Sequence, residues 1–165
     1  MFRTPMTLDR GQRAMTGVVA VIIAVALGAT VLAGAHIGVS VVAVLGVVLA
    51  LAWAMSPRAI VVDGGELRVE RRAWPPLRIP LASVASAAPL ERLSRGTLRL
   101  FGVGGFFGSY GLFSNGDLGR FRLYATRAGQ AMIVRRTGDA LPLVLTPDDV
   151  AGAIGAIDRR PLLTE

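Results

Sequence analysis

A chain of 165 residues that is 53% hydrophobic, with a mean hydropathy of +0.56, is more apolar than a small soluble domain needs to be. Its net charge of +7 rests on 18 arginines against 11 acidic residues, with no lysine, and its lone histidine and absent cysteines exclude disulfide and thiolate chemistry and leave almost nothing for a histidine-based site. The excess of apolar residues sits at one end of the chain.

From Ala14 to Met55 there is no Asp, Glu, Lys or Arg, and His36 is the one ionisable side chain. A single helix over that stretch would be roughly twice the ~30 Å hydrocarbon thickness, so two spans are expected, at about 14–34 and 38–55, broken at "GAHIG". A cleaved signal peptide fits poorly, because a second, equally apolar segment follows at once. Arg3, Arg10 and Arg13 precede the first span and Arg58, Arg68, Arg71 and Arg72 follow the second, whereas the turn has none, so both termini are expected to face the cytoplasm at the plasma or inner membrane. Trp53 suits the interfacial belt. Small residues at four-residue spacing, Thr16, Ala20, Ala24 and Gly28, then Gly38, Gly46, Ala50 and Ala54 interrupted by Val42, offer stripes for close helix packing, within the hairpin or between copies of the chain. Neither span carries an acidic or basic group, so no proton relay or ion path is expected. Residues 1–13 read as a cytoplasmic tail.

After Ser56-Pro57 the pattern changes from continuous to alternating, the mark of half-buried strands in a cytoplasmic domain over 56–165. "AIVVDGGELRVERR" predicts a hairpin with Leu67 and Val69 inward, and "WPPL" interrupts pairing. "LASVASAAPL" fits strand or loop, and "TLRLFG" alternates Leu98 and Leu100 against Arg99. "SNGD" at 114–117 is a hairpin signal before "GRFRLYATR", where Phe121, Leu123 and Ala125 alternate with Arg120, Arg122 and Tyr124. "AMIVRR" and "LPLVL" are two further short strands. "TPDDVAGAIGAIDRR" predicts a closing helix with Thr146 as N-cap, Pro147 at its first position, Asp148 and Asp149 in its first turn and an apolar stripe of Val150, Ile154 and Ile157.

Seven or so antiparallel strands followed by one amphipathic helix is an α+β order of elements. The run from Arg95 to Ile154, with its glycine-rich aromatic segment, the Leu-Tyr-x-Thr strand at Leu123–Thr126 and the Thr-Pro-x-Asp helix start at Thr146–Asp149, resembles the bacterial pleckstrin-homology (PH) domains of small membrane proteins. The resemblance implies an antiparallel β-barrel or sandwich capped by a C-terminal helix, with transmembrane helices beside it. It does not extend to phosphoinositide recognition: the turn that would need basic residues is Asp63, Gly64, Gly65, Glu66.

The segment "GGFFGSYGLF" at 104–113 keeps neither the dinucleotide glycine order nor a P-loop lysine. Two uses compete for it: glycines serving bulges and corners while rings fill the core, or rings projecting into the headgroup layer or a partner groove. On the second reading Phe106, Phe107, Tyr110 and Phe113 contact membrane or partner, with Arg71 and Arg72 beside an anionic leaflet, where each exposed arginine adds ~1 kcal/mol. No nucleophile constellation, metal set or cofactor motif appears, and no nucleic-acid-binding motif accompanies the basic charge. The sequence therefore predicts no enzyme and no cofactor, but a binding or assembly module whose partners are anionic lipids, copies of itself or another membrane protein. The alternative is an accessory subunit of a transporter, protease or envelope complex.

Overall fold

In a computed structural model the chain is described over residues 1–32, 36–91, 93, 96–105 and 107–159, with the backbone alone at 36 and 37. Helix α1 (Arg10–Leu32) and helix α2 (His36–Met55) pack against each other, and both are long and apolar enough to cross a membrane. None of the side chains of α1 is buried within the chain. Asp9 starts it, accepting the Gln12 N–H at 2.7 Å on its carboxylate. Residues 34 and 35 of the expected break at 34–38 lie outside the described residues, and from His36 the chain is already in α2.

The first residues are not a free tail. Phe2–Pro5 form strand β1, antiparallel to β2 (Pro57–Asp63) with Phe2 opposite Val62 and Pro5 opposite Ala59. Met6 extends the pairing by donating to the Arg58 carbonyl at 2.8 Å, and Thr4 and Met6 are both buried. The helical hairpin is thus inserted between two paired strands, and its two ends return to the same sheet edge. Two more strands complete that sheet in the order β1-β2-β3-β4: β3 (Glu66–Arg71), joined to β2 across Gly64-Gly65, and β4 (Leu77–Pro80). Leu67 and Val69 point inward and are fully buried, as their alternation predicts.

The ambiguous stretch after Pro80 becomes a 3-10 turn (Leu81–Ser83) and then strand β5 (Val84–Leu90). The second sheet adds β6 (Leu98–Val103), β7 (Ser109–Asn115), β8 (Gly119–Ala125), β9 (Ala131–Arg136) and β10 (Leu143–Leu145), ordered β5-β9-β10-β8-β7-β6. It is not wholly antiparallel. β10 slots between β9 and β8, antiparallel to the first and parallel to the second, with Val144 opposite both Ile133 and Leu123.

That insertion buries the central strands on both faces. Met132, Val134, Leu143 and Leu145 join Ile60, Leu67, Val69 and Ile79 in the layer between the sheets, whereas their alternate neighbours Ala131, Ile133 and Val144 pack with Phe113, Phe121 and Leu123 in a second cluster. Leu90, Leu93 and Leu118 lie against this second cluster.

Helix α3 (Val150–Asp158) closes the first layer with Ala153 and Ile157 buried, Val150 and Ile154 being only partly so. Its N-cap is Asp149, whose carboxylate accepts the Gly152 N–H at 2.8 Å, not Thr146. Thr146 is used elsewhere, its hydroxyl accepting the Thr126 N–H at 2.9 Å at the end of β8, so the helix begins three residues later than its sequence signal suggests, and Pro147 precedes it. Asp148 accepts from the Thr7 N–H and hydroxyl, at 3.1 and 3.0 Å, and pairs with Arg127 at 3.3 Å, holding the β1–α1 link to the domain. The architecture is α+β: two long apolar helices, two packed sheets and a capping helix.

Candidate functional site at the junction of hairpin and sheet

The glycine-rich segment splits its rings between different destinations. β6 and β7 pair with Gly102 opposite Gly111 and Val103 opposite Tyr110, after a bulge between Arg99 and Phe101. At this crossing the backbones approach too closely for any side chain: a Cβ on Gly102 would stand 2.2 Å from the Tyr110 carbonyl oxygen, and one on Gly111 2.2 Å from that of Phe101. Both glycines also have positive φ, +124° and +133°.

Among the expected contact residues, Phe113 turns into the second cluster, its ring stacked on Phe121 with centroids 6.3 Å apart. Tyr110 is also buried, at 4% exposure. Phe113 so placed completes a core layer, whereas Tyr110, though buried, also lines the cavity at the end of α2. Phe107 is half-buried with φ +54°, and its N–H donates to the Thr16 hydroxyl of α1 at 3.4 Å. Phe106 lies outside the described residues.

Tyr110 and Arg72 join domain to hairpin. The Tyr110 hydroxyl donates to the Ala52 carbonyl in α2. Ala52 is three residues from the end of the helix, where the chain turns directly into β2. There the Ser56 hydroxyl donates to the Trp53 carbonyl at 2.7 Å, and the Arg72 N–H and Nε donate to the Ser56 carbonyl and hydroxyl at 3.1 and 3.0 Å. The Ala73 N–H donates to the Ala54 carbonyl at 3.0 Å. Arg72 is therefore a clasp on the helix terminus. Arg71 points the other way around this turn: its guanidinium donates to the Tyr124 hydroxyl at 3.2 Å and its carbon stands 5.7 Å from that ring's centroid. Its Nε is buried without a partner.

These groups border a cavity of about 650 Å³ between the last two turns of α2 and the β6–β7 hairpin. Val48, Leu51 and Met55 line it from the helix, Arg71 and Tyr124 from β3 and β8, and Arg99 and Phe101 from β6. The apolar exposure continues along β6, an edge strand on which Leu98, Leu100 and Phe101 are 67%, 50% and 79% exposed. "TLRLFG" had suggested inward leucines. The bulge after Arg99 and, among the described residues, the lack of a neighbour beyond β6 leave them outside. These residues, with Arg99 and the end of α2, were missed from sequence; the available signal was Leu-x-Leu-Phe, where alternation breaks before a glycine.

Burial pushes the Tyr110 phenol up to about 12, the nearby Arg71 charge opposing the rise. An unfolded chain gives up that proton near pH 10, so the contribution of Tyr110 to stability is whole below about pH 10 and lost as pH rises through about 12. In a Tyr124→Phe protein, where Tyr110 is the one tyrosine left, phenolate absorbance should rise with a midpoint near 12. A midpoint at the ordinary value of about 10 would show the ring open to water.

Among the described residues no group of three or more His, Asp or Glu side chains is placed to hold a metal ion. The junction holds an apolar cavity bordered by two guanidiniums and two phenols. No curated protein and no solved structure matches the chain. A family model described as a bacterial PH domain matches residues 58–160, which begin at β2 and run through the sheets and α3, well over half of the sequence. By that match, and by a fold of two packed sheets closed by a C-terminal helix, the chain belongs to the bacterial PH domain family.

Proposed function

We propose that this is an integral membrane protein whose hairpin spans the bilayer out and back, with both termini cytoplasmic, and whose PH domain is a non-catalytic binding or assembly module held against the inner leaflet. The observation that carries the reading is the splice of hairpin into sheet: β1 ends five residues before α1, and β2 begins two residues after α2, so no linker allows the domain to leave the surface. Arginines at both hairpin ends favour the cytoplasmic side. The contact surface is the exposed edge of β6, with Leu98, Leu100 and Phe101 near the end of α2, together with Phe107 beside α1. A second reading, an accessory subunit of a larger membrane complex, draws on the same edge, since an unpaired apolar strand is a template for a partner strand.

The native chain has no cysteine, so one introduced at Gly116, exposed in the β7–β8 turn, reports sidedness without background. In intact cells Gly116→Cys should react with a membrane-permeant maleimide and resist an impermeant one, and the protein should stay in the pellet after an alkaline carbonate wash. Labelling from outside, or release by carbonate, would overturn the reading.

A further inference from the structure

The proposed membrane placement leaves the cavity at the end of α2 with an occupant to be named, and the inference here rests on that placement. We propose that the cavity is a site for one anionic phospholipid of the surrounding leaflet, its phosphate held by Arg71 and Arg99 and the start of its acyl chain lying between α2 and β6.

Charge comes first. Arg71 and Arg99 both line the cavity, and neither pairs with a carboxylate among the described residues, although Arg3, Arg68 and Arg127 each have one. Arg71 is partly buried, it sits over the Tyr124 ring, and its Nε is enclosed with no acceptor. A buried guanidinium donor without an acceptor is costly, and a phosphate oxygen meets its fork geometry and its charge together. Tyr124 accepts from one terminal nitrogen of Arg71, and the enclosed Nε gains an acceptor when the side chain turns toward a phosphate in the cavity.

Shape and polarity come next. Opposite the arginines the lining is hydrocarbon: Val48, Leu51 and Met55 on α2 and Phe101 on β6. Val48 and Leu51 are about half exposed, so this wall continues onto the outer face of the helix where lipid tails lie in the proposed placement. Cations and apolar wall thus face one cavity, Arg71 from β3 and Arg99 from β6 on the domain side and the apolar side chains of the last two turns of α2 on the other. A soluble anion would leave the apolar wall uncovered, and an apolar ligand would leave the two charges uncompensated. A phospholipid answers both. This site is distinct from the acidic Asp63–Glu66 turn, and it is formed only where the domain meets its own hairpin.

The test uses the full chain in nanodiscs of phosphatidylcholine with one-fifth phosphatidylglycerol, followed by native mass spectrometry of the released protein. One phosphatidylglycerol should be retained preferentially over phosphatidylcholine, and Arg71→Gln with Arg99→Gln should reduce that preference about tenfold, the loss of one to two charge-assisted contacts. Val48→Trp, which leaves both arginines in place and fills the cavity from the helix side, should abolish retention while the unfolding midpoint stays that of the native chain. Glycerol phosphate, which lacks the acyl chain, should not displace the bound lipid. Equal retention of the two lipids, an unchanged preference in the double arginine variant, full displacement by glycerol phosphate, or a co-purifying protein in place of the lipid would each overturn the proposal. Any of these with the chain still resistant to carbonate refutes the lipid site alone, whereas carbonate release refutes the placement beneath it.

Discussion

Replacing Gly111 by valine is expected to destabilise the domain by about 3 kcal/mol or more, a large part of the 5–15 kcal/mol that holds a typical domain together. Two costs combine. A side chain at φ +133° is strained by about 1–3 kcal/mol wherever it points. Here it also points at backbone: the new Cβ would stand 2.2 Å from the Phe101 oxygen and 2.7 Å from the Gly102 Cα, atoms that cannot rotate away. Relief requires β6 to part from β7. Parting them removes one wall of the junction cavity and moves Tyr110 away from the α2 carbonyl it serves. Gly116→Ala is the control, because its Cβ meets nothing within 4 Å and its backbone lies outside the left-handed region; it should stay within about 0.5 kcal/mol of the native chain. Urea titration in mild detergent, followed by Trp53 and Trp74 fluorescence, compares the two. A Gly111→Val protein as stable as the control would mean that the strands do not cross this closely.

The same glycines show how far the sequence could be read. That "GGFFGSYGLF" serves a bend was open from composition, but the reason depends on register: Gly102 and Gly111 matter because they face each other, and nine residues of separation do not announce a cross-strand pair. Ring fates followed from the same register, so Tyr110, Phe113 and Phe107 could not be sorted in advance. The β2–β3 hairpin was legible because its signal is local, a Gly-Gly turn between alternating runs. The helix start was misread because Thr146 and Asp149 are both good caps, and the choice was made by a distant bond from Thr126. β1 was invisible: four residues including a proline and an arginine form a strand only because β2, more than fifty residues on, supplies the partner. Arg71 and Arg72 read as an exposed pair, and the end of α2 draws both into bonds with Ser56 and Tyr124.

The junction is a consequence of one feature, the hairpin's insertion between paired strands. β1 and β2 pair side by side, so both ends of the hairpin are held at the same sheet edge. The β6–β7 crossing then meets α2, and Thr16 of α1 meets Phe107. A PH domain on a flexible tether could present any face to the bilayer. Here the position of the domain relative to the two helices is fixed by its own first strand.

Phe121→Ala is the second change with a large expected effect, about 3–5 kcal/mol, and it tests whether the outer cluster is a true core. Phe121 is fully buried on the face of the six-stranded sheet that points away from the other sheet. Its neighbours are Phe113, stacked at 6.3 Å, and the inserted strand's Val144 in the same cluster. Truncation removes the ring from a site that Leu118 and Leu123 cannot collapse to fill, because the ladder on either side fixes β8. The stacked pair is lost as well, about 0.5–1.5 kcal/mol beyond the buried area. Phe101→Ala removes the same ring from β6, two strands away, where it is 79% exposed, and should change stability by no more than about 0.5 kcal/mol. The pair therefore separates the two roles that one residue type plays in this sheet: Phe121 holds the fold together, and Phe101 faces outward beside the cavity and the end of α2. Equal effects of the two truncations in the same urea titration would show that the outer cluster is open to solvent and that the sheet is buried on one face only.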